Sequence, residues 1–398
     1  MAGSIRQRGK ESWELRVFVG RDPVTDKKQY ATKTFRGTRK EAERELARLV
    51  VQAEDGQVSV KGGTVGELCE KWYSQREADW SPRTAEGYRS ILDRRIIPRF
   101  GSTPLRRLRT SEIDAWYAQL RKQGGVGGRP LDADSVRQVH AVLRTALQQG
   151  VRWGWLATNP AANATQPRAT QHDAVLPSPA DVLHLVESSA KVNWALPYFL
   201  RLAAVTGARR GELCALRWKH VNHEHREVTI SRAIVQLATK PLIEKDTKTH
   251  QDRRIGLDVG TLALLRELRE KQEERAGRFG ATITDNAYLF SHEIDASKPW
   301  MPNYITLAFG RLAKQLNLGG LRLHDLRHFV ATRMLAGGQD VKTVSGRLGH
   351  ANAATTLTIY AKFLHAADHK AADFMGGLLD AGTPARGPDQ TGERPHRA

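Results

Sequence analysis

The chain has 398 residues, 40% of them apolar, and a formal net charge of +19. That length accommodates two or three domains with real cores, and that charge points to a polyanionic partner, nucleic acid first, because neutralising phosphates releases counterions. An anionic membrane is disfavoured, since neither a basic amphipathic helix nor a lipidation signal is present; the longest apolar run, 194–208, is interrupted by Arg201 and too short to span a bilayer. Cys69 and Cys214 both sit in apolar helical patterns, which predicts buried, reduced thiols in a cytoplasmic protein and excludes a Cys-rich zinc site.

Trp13, Leu15, Val17 and Val19 alternate with Glu14, Arg16 and Phe18, largely a strand period. Residues 22–26 read as a turn and 27–35 as a further strand. Thr38, with Glu41 three positions on, predicts a capped helix carrying Leu46, Leu49 and Val50. Residues 1–40 hold eleven Lys/Arg against four Asp/Glu. A basic sheet can lie in a DNA groove with one face reaching base edges. Arg6, Arg8, Arg16, Lys27, Lys28 and Lys33 are therefore candidate contacts. The expectation is a small basic sheet-plus-helix domain over 1–60, followed by a linker.

Helical patterns then begin at Thr64, at Ser81-Pro82 and at Thr110-Ser111, and a fourth carries Val136, Val139, Leu143 and Leu147. The stretch 98–104 predicts a break, 124–130 a flexible loop, and Asn159-Pro160 the end of a helical domain over 64–168. Its arginines cluster, and Arg89, Arg94 and Arg95 are candidate DNA contacts. Nothing in this part is catalytic in type.

Ser178-Pro179 starts the next helix. An apolar helix from Trp194 ends at Thr206-Gly207, where glycine can take the left-handed cap. Arg209 and Glu212 follow beside the core and, in isolation, read as a plain ion pair. Residues 227–238 and 253–257 are β-rich, which implies a small antiparallel sheet whose turn, 246–251, carries Lys248. Helices are expected over 260–278 and 304–316. Then come His324-Asp325-Leu326-Arg327, Leu348-Gly349-His350 and Tyr360. A guanidinium holds phosphate oxygens in a fork, imidazoles donate or move protons, and a phenol can be a nucleophile.

Thr206-Gly207-Ala208-Arg209 with Gly211-Glu212-Leu213, Lys248 in a β-turn, His324-x-x-Arg327, Leu348-Gly349-His350 and Tyr360 together resemble the tyrosine recombinase family, the phage-type integrases. Residues 1–60 resemble the family's arm-type DNA-binding domain and 64–168 its SAM-like core-binding domain. That leaves 172–375 as the catalytic domain and 376–398 as a disordered tail. The resemblance implies an α+β, mainly α chain: a basic sheet-plus-helix domain, a helical domain, and a mainly helical catalytic domain with a small antiparallel sheet. It implies a site-specific DNA recombinase that cuts and rejoins strands through a covalent 3′-phosphotyrosyl intermediate, integrating or excising a phage or mobile element.

In that resemblance Tyr360 is the nucleophile, Arg209 and Arg327 clamp the non-bridging oxygens, and His350 is the third donor. Lys248 is the general acid for the leaving 5′-oxygen, His324 assists proton transfer, and Glu212 braces the site. The Thr-Gly-x-Arg register selects Arg209 over Arg210. Lys240 and Lys245 compete with Lys248, which precedes Arg253-Arg254-Ile255 as family hairpins do. No metal or ATP is expected, and no G-x-x-x-x-G-K-S/T phosphate loop occurs. The implied partners are double-stranded DNA at core and arm sites, further copies in a homotetramer, a host DNA-bending protein and a directionality factor, with no membrane. The competing classes are a type IB topoisomerase-like relaxing enzyme, which needs no arm domain, and a catalytically dead DNA-binding regulator, which needs no intact catalytic set.

Overall fold

The structure is a computed structural model of the chain. It describes residues 3–21, 28–54, 63–170, 176–238, 240–246 and 252–349, together with 354, 357, 372–373 and 375–377. Lys27, Lys248, His350, Tyr360 and all residues beyond Gly377 lie outside the described residues. The chain divides into two compact units, 1–172 and 173–398.

The first unit opens with an antiparallel sheet of β1 (Gly3–Gly9), β2 (Ser12–Arg21) and β3 (Lys28–Arg36), in that order. The period of two turns Leu15 and Val17 of β2 inward, both buried, under α1 (Arg39–Glu54). Glu14 and Arg16 fall on the opposite, open face. Glu41 accepts from the Thr38 N–H at 2.9 Å and its own N–H reaches Thr38 Oγ1 at 3.4 Å, the reciprocal cap expected there. Strand β1 carries Ile5 as its one large apolar residue and is held by a ladder running from Gly3↔Val17 to Gly9↔Ser12.

Helices α2 (Val65–Arg76), α3 (Pro82–Ile91), a short α4 (Ile97–Phe100), α5 (Thr110–Gln123) and α6 (Ala133–Arg152) follow, packed on Leu68, Trp72, Leu92, Phe100, Ile113 and Leu143. Thr64, Ser81 and Asp132 cap α2, α3 and α6 through their side chains. Two expectations are corrected here. The break expected over 98–104 falls after Phe100 rather than at Pro98: α3 runs through a wider turn at 92–96 into α4, with the Ile97 N–H donating to Leu92 O, five residues back. Such a π-type turn keeps the proline ring clear of the carbonyl it would strike in a regular helix. Thr110 does not cap α5: Glu112 accepts from the Arg109 N–H at 3.0 Å, while the Thr110 hydroxyl bonds Pro160 O at 2.8 Å.

The second unit contains α7 (Pro179–Ser189), α8 (Leu196–Thr206), α9 (Arg210–Cys214), β4 (Val221–Asn222), β5 (Glu227–Ile230), β6 (Arg232–Val235), β7 (Ile243–Asp246), β8 (Arg253–Gly256), α10 (Val259–Gly277), α11 (Pro302–Gln315), α12 (Asp325–Ala336) and α13 (Val341–Leu348). The overall class is as expected, mainly helical with small antiparallel sheets. The single sheet expected in this unit is instead two, β4-β5-β8 and the hairpin β6-β7. Its aromatic core centres on Phe290, whose ring centroid lies 5.0 Å from Phe199 and 5.4 Å from Trp300. Helix α8 packs on α7 and α12, and α13 lies against α12 and β8. Chain-distant segments at 206–212, 253 and 324–349 thereby meet.

Both cysteines are fully buried, and burial pushes each thiol up to about 12. Among the described residues no helix is long and apolar enough to cross a membrane.

Candidate active site

Helix α8 ends at Gly207, whose φ of 63° is left-handed. A Cβ there would strike Leu348 and Val330. The chain reverses and enters α9 with Arg209 at the cap. Arg209 Nη1 donates to Glu212 Oε1 at 2.9 Å and Nη2 donates to Gly349 O at 3.1 Å. Glu212 is 3% exposed and also accepts from the Arg209 backbone N–H at 2.7 Å. Arg253 of β8 donates to the same carboxylate, through Nη1 at 3.2 Å and through Nη2. The plain Arg209–Glu212 pair is thus one half of a shared site, with Glu212 taking four donors from two arginines. Burial pushes the Glu212 carboxyl up, but the Arg253 hydrogen bonds and charge, with help from Arg209, more than offset it. The group lies below its ordinary value and is a carboxylate at neutral pH.

Arg327, in the first turn of α12, is 4% exposed. Its Nη1 donates to Gly207 O at 2.6 Å, while Nη2 is buried with no hydrogen-bond partner among the described residues. Burial, then the charge of Arg209, bring this guanidinium down to about 9, with Glu212 acting the other way. It remains charged at neutral pH, desolvated and one acceptor short, the condition that an incoming anion relieves. His324 precedes α12 and packs edge to face on His328, ring centroids 4.9 Å apart. Burial of part of its ring, then His328 and Arg327, push it below the ordinary histidine value. The side chain still reaches solvent, and the shift is toward the neutral imidazole. Asp325 is 1% exposed and accepts from the Arg322 N–H at 2.7 Å and its guanidinium at 3.1 Å, which fixes the turn that presents His324 and Arg327. Arg209, His324 and Arg327 line one cavity of about 430 Å³.

The structure therefore brings together Arg209, Glu212, His324 and Arg327. Arg210 turns away to the hydroxyl of Thr306. Lys245 lies within β7, opposite Ala233, rather than at a turn. Lys248, His350 and Tyr360 fall outside the described residues; Gly349, the neighbour of His350, is placed with φ 68° and its carbonyl on Arg209. Sequence reasoning missed the role of Arg253. Its partner lies forty-one positions away, and no local spacing announces it. Among the described residues no group of three or more His, Cys, Asp or Glu is placed to hold a metal ion.

Of the basic residues on the sheet, Arg6 and Arg16 share the open face, opposite Glu14 and Ser4. Arg8 Nε donates to Glu14 at 2.5 Å, and Arg16 lies 4.0 Å over the Tyr30 ring. Lys33 is different: it pairs across from Leu15, on the helix-covered side, and its ammonium bonds Glu45 at 2.6 Å. Arg89 gives its fork to Glu70 at 2.7 and 2.8 Å and to Asp93, so carboxylates already occupy it. Arg94 is exposed and Arg95 half-buried on the same segment.

Two family models match the chain: the phage integrase family over 179–366, and the phage integrase N-terminal SAM-like domain over 64–121. The chain belongs to the phage integrase, or tyrosine recombinase, family. It is an enzyme of site-specific DNA recombination. This recombinase is 22% identical over 377 residues to the ICEBs1 integrase of Bacillus subtilis (strain 168), a match covering 94% of this chain and 100% of that one. It is 26% identical over 372 residues to a putative prophage phiRv2 integrase of Mycobacterium tuberculosis (strain ATCC 25618 / H37Rv), covering 92% of each. A Tn1549 transposon integrase solved with a circular intermediate DNA shares the fold at a TM-score of 0.65 and 21% identity, over 75% of this chain and 95% of that one. A lambda integrase dimer bound to a COC′ core site does so at 0.56 and 18%, over 89% and 94%.

Proposed function

We propose that Tyr360 of this recombinase attacks a DNA phosphodiester in line, forms a 3′-phosphotyrosyl link and releases a 5′-hydroxyl, so as to integrate or excise a phage or mobile element. One observation carries the reading: the unmet Nη2 of Arg327, a buried guanidinium donor beside Arg209 at the edge of a cavity. Two guanidiniums so placed bind non-bridging phosphate oxygens, and they bind best as negative charge builds in the pentacoordinate transition state. An arriving phosphate supplies the acceptor that Nη2 lacks. His350 is the third donor. His324, held toward its neutral form, passes a proton at Tyr360 or the phosphate, and Lys248 protonates the leaving 5′-oxygen, because an alkoxide leaves poorly. Glu212 does not react; its four donors make it the brace that aims Arg209 and Arg253. The bond energy stays in the phosphotyrosine, and this chemistry needs neither metal nor ATP.

In the same reading, 1–60 binds arm sites, 64–168 grips the core site, 172–375 is catalytic and 376–398 is a tail. Arg6, Arg16, Lys27, Lys28, Arg94 and Arg95 are the DNA contacts; Arg8, Lys33 and Arg89 already hold carboxylates and contribute less. The working form is a homotetramer on two duplexes in the bacterial cytoplasm. The fold is shared, at a TM-score of 0.55, with a lambda integrase tetramer bound to a Holliday junction. A host DNA-bending protein and a directionality factor complete the set of partners.

The test is a nicked suicide substrate carrying the core site. The wild-type chain traps a covalent protein–DNA adduct without added metal, and Tyr360→Phe traps none. An adduct formed by Tyr360→Phe refutes the assignment. Relaxation of a supercoiled plasmid that lacks the site supports the type IB relaxing alternative instead.

A further inference from the structure

A second cavity, of about 620 Å³, opens in the first unit against one face of α6. Its wall is aromatic: the Trp80 ring lies edge to face with Tyr88, centroids 4.8 Å apart. His140, Arg144 and Arg152 line it from one stripe of α6, their four- and eight-residue steps keeping them on one side of the helix. Arg76 faces them from the end of α2 and pairs with Asp79 at 3.4 Å. All three arginines are exposed.

His140 is the unexplained group. It is 3% exposed, its Nδ1 lies 3.0 Å from the Tyr117 hydroxyl, and its Nε2 has no hydrogen-bond partner among the described residues. Burial pushes the Tyr117 phenol up, so it keeps its proton. Burial, then the charges of Arg144 and Arg137, hold the imidazole below its ordinary value. Nε2 is a donor or an acceptor according to the tautomer, and in either case a buried polar atom without a partner among the described residues, an arrangement folded proteins avoid. Nothing in the strand-cleavage chemistry uses it.

We propose that this cavity binds a nucleotide, with the base against Trp80 and Tyr88, a polar edge of the base on His140 Nε2, and the phosphate on Arg144 and Arg152. The volume falls within the range of small-molecule sites. Aromatic side chains stack any base, and guanidiniums fork onto phosphate oxygens. The nucleotide has two sources, an unstacked base of the DNA being recombined or a free nucleotide in solution. The first rests on the DNA reading above; the second does not.

The full-length protein distinguishes them. One arm titrates dAMP and follows tryptophan fluorescence. The other uses a short duplex bearing one unpaired 2-aminopurine, read by the fluorescence of that base, with the same duplex fully paired or abasic at that position as controls. If an extruded base is the ligand, the unpaired 2-aminopurine is quenched and its duplex binds about tenfold more tightly than the abasic one. If a free nucleotide is the ligand, dAMP saturates the tryptophan signal. In either case Trp80→Leu, which keeps apolar volume but removes the stacking ring, and Arg144→Gln each lose about tenfold. Arg144 is exposed on α6, so its variant decides the matter even if Trp80→Leu fails to fold. Equal affinity for abasic and 2-aminopurine duplexes together with no dAMP response overturns the proposal, as does wild-type binding by Arg144→Gln. Adduct formation on the nicked substrate is scored in parallel: its loss with binding intact sinks the recombination chemistry alone, and the reverse sinks only the nucleotide site.

Discussion

Replacing Glu212 with alanine removes a carboxylate that is 3% exposed and takes four hydrogen bonds, two from Arg209 and two from Arg253. The variant leaves Arg253, whose side chain is 11% exposed, beside Arg209 and the buried Arg327 with no ion-pair partner among the described residues. Breaking a buried ion pair from one side costs about 3–5 kcal/mol, because the surviving charge stays desolvated. For a unit the size of 173–398, each kcal/mol moves the melting temperature by about 2–4 °C, so a fall of roughly 6–20 °C is expected. Circular dichroism melting of the full-length variant at neutral pH measures it. The pH dependence gives a second reading. The folded Glu212 carboxyl lies below its ordinary 4.5, so its contribution is fully present above that pH and fades as the pH falls through the lower folded value. The gap between wild type and variant therefore narrows in acid. A variant that melts with the wild type at neutral pH refutes the bracing role.

Three further outcomes follow from the same geometry. Arg327→Lys keeps the charge but loses the planar fork, and single-turnover cleavage of the nicked substrate should fall by about 10²–10³; a rate within a factor of about three of wild type counts against the clamp. Gly207→Ala forces a side chain into a left-handed position, at about 1–2 kcal/mol, and against Leu348, so its thermal transition should drop; an unchanged transition contradicts the packing described here. Deleting 1–60 should spare cleavage of core DNA while abolishing binding to distant arm sites and flattening the salt dependence of full-site binding, and undiminished recombination on complete attachment sites argues against an arm-binding role.

Elements announced by local chemistry were legible in the sequence. Thr38, Thr64, Ser81 and Ser178 all cap helices, because the side-chain acceptor and the orphan N–H it satisfies lie three positions apart. Gly207 was readable as a left-handed helix end for the same local reason. Elements whose cause is elsewhere were not. Strand β1 has little apolar pattern and exists through its ladder to β2. Strand β7, Ile-Glu-Lys-Asp, pairs with β6, and its Glu244 is held by Arg217 and Tyr288 from other segments. Pro98 sits inside a helix because the wider turn before it was invisible to propensity. Motif spacing singled out Arg209, Glu212, His324 and Arg327, which the structure brings together. The partners that orient them, Arg253 and the carbonyls of Gly207 and Gly349, are separated from them by 41 to 140 positions.

Those two carbonyls have a consequence for how the enzyme becomes competent. Gly207 ends the helix that leads to Arg209, yet its oxygen holds Arg327; Gly349 lies in the later segment, yet its oxygen holds Arg209. Each segment thus keeps the key to the other's arginine. A nascent or partly unfolded chain that has made only the earlier segment has no registered pair of guanidiniums. Under the proposed chemistry, the crossed latch ties strand cleavage to completion of the fold.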